Sequence, residues 1–122
     1  MRWLLHGNSA PAVAEAMKRH EQEVRTPAEV ELPPDALPAH IFELARKAQL
    51  DILTSDAGLT QRLFESPTRF GRTIVLLNVE DGDIEQDDAI DRLFQRYRRL
   101  APGRLYTVTG SRVKIRQLPT RH

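Results

Sequence analysis

Three short stretches of this sequence carry side chains of types that do chemistry. His6-Gly7-Asn8 and Thr54-Ser55-Asp56 each follow an apolar run, and Arg112, Lys114 and Arg116 alternate with Val113 and Ile115. A carboxylate such as Asp56 can hold a hard cation or take a proton, but Asp is also among the best helix N-caps. Ser9 is a nucleophile only with a base in reach, and capping explains it more simply. Asp81-x-Asp83-x-Glu85 has the acid spacing that begins a calcium loop. Its glycine falls second rather than sixth, and Arg92 stands where the bidentate Glu belongs, which excludes that reading. With no cysteine in the chain, disulfides, thiolate metal sites and a cysteine nucleophile are excluded.

Charge is unevenly spread. Glu80 to Asp91 holds seven acids and no base, whereas Arg92 to His122 holds nine Lys or Arg and no acid, within a net charge of +1. An acidic helix start followed by basic residues suits the helix dipole. The basic hairpin beyond it is either a solvated sheet edge or an electrostatic footprint for a phosphate backbone or an acidic partner. On that second reading Arg104, Arg112, Lys114 and Arg116 touch phosphate, with Tyr106 as a stacking surface. At 6% aromatic content a dedicated platform for several stacked bases is not expected.

The elements that must position these groups follow from periodicity. Trp3-Leu4-Leu5 reads as a buried strand, and Ser9 and Pro11 open a helix carrying Val13, Ala16 and Met17. Glu23 to Val30 is ambiguous because Pro27 weakens a central strand. Leu32 to Pro38, with three prolines, reads as a loop. The pattern then predicts a helix over Ala39–Ala48, a strand over Asp51–Ser55, a short helix with Leu59, Leu63 and Phe64, and a strand over Thr73–Val79. A helix over Asp87–Leu100 presents Ile90, Leu93, Phe94, Tyr97 and Leu100 as one stripe. A hairpin turning at Gly110-Ser111 closes the chain, its second arm half-buried with a basic outer face. At 122 residues, 40% of them apolar and 29% charged, the chain fits one globular domain over 1–118 with a short tail at 119–122. The longest apolar run, Ile74-Val75-Leu76-Leu77, is far short of a membrane span, and no signal peptide is legible, so a cytoplasmic location is expected. Alternating strands and helices imply a mainly parallel sheet between helix layers, with ligands beyond the carboxyl ends of its strands.

At those strand ends the sequence resembles the small PIN-like proteins, related to the toxin ribonucleases of bacterial toxin–antitoxin pairs. Leu4-Leu5-His6-Gly7-Asn8 matches the family's opening of two leucines, then Asp-Glu-Asn. Phe42-Glu43-Leu44-Ala45-Arg46 through Ile52-Leu53-Thr54-Ser55-Asp56 matches its Leu-Ala-Arg helix and strand ending Thr-x-Asp. The likeness extends over nearly the whole chain. It implies a three-layer PIN-like α/β domain with a C-terminal β-hairpin. In the nucleases of this family, converging carboxylates hold Mg²⁺ or Mn²⁺, whose bound water attacks the phosphate.

The chain departs from that pattern at the chemistry. His6 stands for the first Asp and Gly7 for its neighbouring Glu. Pro38, Ala39 and His40 occupy the start of the second helix, and Gly58 the place of a further acid. The resemblance carries over Asp56 and Asn8 as catalytic candidates; Asp35, in a nearby loop, could replace a lost ligand, although the spacing does not require it. His6, His40 and Asp56 together suggest a softer transition-metal site, because imidazole suits such ions better than Mg²⁺. Strong Mg²⁺ binding is not expected. Three functions follow: a PIN-like toxin–antitoxin component or RNA-binding pseudonuclease with a degenerate metal site, a weak metal-dependent endoribonuclease, or a non-catalytic interaction module. The expected partners are RNA, an antitoxin-like protein or a second copy of the chain, and no membrane.

Overall fold

A computed structural model describes residues 1–7, 11–65, 70–80 and 82–119. In order it has β1 (Arg2–His6), α1 (Pro11–Arg19), β2 (Glu23–Arg25), a 3-10 turn (Ala28–Val30), α2 (Pro38–Ala48), β3 (Asp51–Thr54), α3 (Ala57–Glu65), β4 (Ile74–Leu77), α4 (Asp83–Arg96), β5 (Arg104–Val108) and β6 (Val113–Gln117). All six strands share one sheet in the order β2-β1-β3-β4-β5-β6. Every pairing is parallel except the β5–β6 hairpin. The α/β class, the three adjacent parallel strands and the hairpin at one edge are as the sequence pattern implies.

Alternation along the strands splits the core into two layers. Trp3, Leu53, Val75, Leu77, Tyr106 and Val108 pack with Val13, Ala16 and Met17 of α1 and Ala89, Ile90, Leu93 and Phe94 of α4. Their neighbours Leu4, Ile52, Ile74, Leu76 and Leu105 pack with Ile41, Phe42 and Ala45 of α2 and Leu59 and Leu63 of α3. Strands β3 and β4 are buried along their whole length, which is why β4 is a continuous apolar run and β3 carries Ile52-Leu53 side by side rather than an alternating pattern. Across the first layer Arg19 bridges to Asp87 and Asp91, and His20 to Asp91, tying α1 to α4.

Two local expectations are corrected and one ambiguity is resolved. Helix α4 starts four residues earlier than the apolar stripe suggested, because Asp83 and Glu85 in its first turn suit the positive end of the dipole. It also ends earlier, at Arg96: Tyr97 turns extended at φ −130° and ψ 108°. Tyr97 and Leu100 nevertheless reach the same core from the irregular chain beyond the helix, and Tyr97 meets Tyr106 edge-on at 5.6 Å. Glu23–Val30 resolves into a short edge strand followed by the 3-10 turn at Pro27. In β6 only Val113 is buried, so this arm is mostly exposed rather than half-buried.

Candidate functional site

The chain winds outward from β1 to β2 in one direction and from β3 to β6 in the other, so winding reverses between β1 and β3. A crevice opens beyond the carboxyl ends of strands at such a point. A cleft of about 600 Å³ lies there, lined by His6, Gly7, Ser55 and Asp56 at its polar end. Its apolar wall is Pro27, Leu32, Pro33, Pro34, Ala36 and Ile41. The proline-rich stretch, legible in the sequence only as a loop, thus forms one side of the site.

The polar end is assembled by strand register. His6 pairs with Thr54 across β1 and β3, and His6 Nδ1 lies 2.9 Å from Thr54 Oγ1 in a hydrogen bond. The same hydroxyl oxygen accepts the Asp56 backbone N–H at 2.9 Å. Burial pushes the His6 imidazole below its ordinary pKa, and the nearby charge of Asp56 opposes that shift.

Gly7 has φ +85°, and a Cβ built there would lie 2.8 Å from Ser55 Oγ and 3.3 Å from the Ser55 backbone nitrogen. The loops after β1 and β3 therefore touch, and they do so only because residue 7 has no side chain. Position 7 is where the family resemblance places a glutamate.

Asp56 is the N-cap of α3: its Oδ1 accepts the Gly58 N–H at 2.9 Å. It is exposed and borders the cleft, so the capping role and the site role coexist. Asp35 sits in the exposed turn between the cleft-lining Pro34 and Ala36 and is not itself a lining residue. Asn8, like Ser9, lies outside the described residues.

His40 is not brought to His6 and Asp56. On α2, Ile41 turns into the cleft and the core, and the preceding residue points elsewhere. His40 borders a separate depression with Glu43, Leu44, Lys47 and Ala48. Among the described residues no group of three or more His, Asp or Glu side chains is arranged to hold a metal ion. A hard divalent cation needs several oxygen ligands, and this cleft presents one carboxylate, so the described side chains do not fit Mg²⁺ or Mn²⁺.

The hairpin cations divide between two faces. Lys114 and Arg116 lie opposite Thr107 and Leu105, on the side of the sheet covered by α2 and α3, which is also the side of the cleft. The Arg116 guanidinium carbon lies 3.7 Å from the centroid of the Phe64 ring of α3. Arg104 pairs with Gln117 and by alternation belongs to the opposite face, with Tyr106 and Val108. Arg112 precedes β6 in the turn. That turn does sit at Gly110-Ser111, but neither residue takes the left-handed φ of a type I′ or II′ turn. Side chains hold it instead: the Arg112 N–H donates to Thr109 Oγ1 at 3.2 Å, and Arg92 of α4 donates to the Thr109 carbonyl from Nε (3.2 Å) and Nη2 (2.8 Å).

One polar residue escaped the sequence reading. Asp51 begins β3 at the end of the sheet away from the cleft and is 2% exposed. Its Oδ1 accepts the Thr73 N–H at 2.9 Å and lies 3.4 Å from Arg72 Nε, an ion-pair distance without hydrogen-bond geometry. Its Oδ2 is buried with no hydrogen-bond partner. Burial raises the Asp51 pKa, against the Thr73 N–H and the Arg72 charge. The available signal was an acid at the head of an otherwise apolar strand. Compared with models of protein families, with curated proteins and with solved structures, the chain matches none.

Proposed function

We propose that this chain is a PIN-like protein with a degenerate metal site, a toxin–antitoxin-type component that binds RNA without cutting it. The observation that carries the reading is Gly7. Where the nuclease pattern has an acid, the backbone is left-handed and the space for a side chain is filled by Ser55. Its neighbour His6, at the other acid position, is an imidazole held toward its neutral form. Losing carboxylates removes the ligands a hard cation needs, and it also removes negative charge that would repel a phosphate. Lys114 and Arg116, on the same side of the sheet as the cleft, supply attraction without sequence preference.

The test is a titration of labelled single-stranded RNA, with product analysis after incubation with Mn²⁺. The expected result is no cleavage product, binding unchanged by a chelator, and affinity that falls steeply with salt. Replacing Lys114 and Arg116 together by Gln should weaken binding and flatten the salt dependence. Cleavage that needs Mn²⁺ and disappears in Asp56→Asn would replace this reading with the catalytic one.

A further inference from the structure

We propose that the free edge of β6 takes an extended, acidic segment of a partner protein as a seventh strand. The inference goes beyond the RNA reading and does not depend on it. β6 is the last strand of the sheet, with Lys114, Ile115, Arg116 and Gln117 all exposed. The hydrogen bonds that bracket the hairpin set which backbone groups face outward. Thr109 N–H donates to the Arg112 carbonyl at 2.9 Å, and Leu118 N–H donates to the Gly103 carbonyl at 2.9 Å. Residues 112, 114, 116 and 118 therefore aim their backbone groups at β5. Val113, Ile115 and Gln117 aim theirs away from the sheet, offering an N–H and a C=O about every 7 Å along the edge. Such a row is a template for strand addition.

The side chains state what the added strand must look like. On one face of the edge stand Lys114 and Arg116. On the other stands Ile115, 41% exposed and one of four large apolar side chains left exposed among the described residues. A matching strand carries acids on the first side and apolar residues on the second, in strict alternation. A second copy of β6 does not match. The antiparallel registers that set Ile115 opposite Val113, Ile115 or Gln117 of a second β6 also set a cation opposite a cation: Lys114 against Lys114, Lys114 against Arg116, or Arg116 against Arg116. Like charges directly opposite are destabilising, so the edge is coded against its own copy and for an acidic one.

The experiment uses the intact chain and two seven-residue peptides, one alternating Val with Glu and one alternating Val with Lys, with binding followed by calorimetry and by amide NMR. The acidic peptide should bind at least about tenfold more tightly, with opposite-charge pairs and the new backbone bonds as the source. Chemical-shift changes should fall on Val113, Ile115 and Gln117. Ile115→Pro removes an outward N–H that β5 does not use, a change edge strands tolerate. It should weaken the acidic peptide by about fivefold or more. A thermal melt of this variant close to that of the parent shows that the hairpin is intact. If that melt collapses, Gln117→Pro at the next outward position serves as the same test. The proposal is overturned if the two peptides bind alike, if neither binds at low salt, if the proline variants bind the acidic peptide as the parent does, or if the chain self-associates through this edge.

Discussion

Strand β3 begins with one aspartate and leads into another, and the two carboxylates live under opposite rules. Asp56 is exposed, accepts a backbone N–H from its own helix and faces the cleft. Asp51 is buried, accepts an N–H from the segment entering β4 and keeps one oxygen without a hydrogen-bond partner. Residue type and strand are the same, so the difference is position along the strand. At the carboxyl end the chain emerges into a crevice, whereas at the amino end it is covered by the connection into β4. A carboxylate in the crevice can serve a ligand; one beneath the sheet acts on stability.

The contrast is broken most directly by truncating both acids. Asp51→Ala leaves the Thr73 N–H buried without an acceptor and Arg72 without its counter-charge, and should cost about 3 kcal/mol in urea unfolding. Asp56→Ala removes a cap and should cost about 1 kcal/mol. Equal losses would show that the two ends of β3 are not energetically distinct. Gly7→Ala falls between them. Its left-handed φ alone should cost about 1–2 kcal/mol, and the approach to Ser55 adds to that, so a neutral result would mean that the loops do not touch.

The pH dependence sharpens the same comparison with smaller effects. Because the folded-state pKa of Asp51 is raised, its contribution is most favourable at acid pH and is lost as pH rises from the ordinary carboxylate value through the raised one. Asp51→Asn should therefore remove a fall in stability over that window, read as a difference between two unfolding-versus-pH curves. His6 has the opposite sign. With its folded-state pKa lowered, its contribution is present above the ordinary imidazole value and lost as pH falls through the lowered one. Asp56→Asn removes the charge that opposes that lowering, so an NMR titration of His6 should move further down, and an upward move would contradict the geometry of the cleft.

Local pattern carries the class of fold. Runs such as Ile52–Thr54 and Ile74–Leu77 are strands buried on both faces, and Val13, Ala16 and Met17 repeat at helical spacing. Both are properties of a few neighbouring residues and the burial they require. The same pattern is compatible with two ends for α4, because Tyr97 and Leu100 reach the core equally well from the irregular chain beyond the helix, and periodicity cannot separate those cases. The positions of Asp56 and His6 at a crevice are legible as soon as strands and helices are seen to alternate. Their separation from His40 is not, because it depends on which way one turn of α2 faces once Ile41 has entered the core. Nor can spacing reveal that Gly7 abuts Ser55, that prolines 27, 33 and 34 wall the cleft, or that Asp51 is sealed beneath the sheet. Each of these contacts joins residues far apart in the chain, and strand register and layer packing, which no local window contains, decide which of them meet.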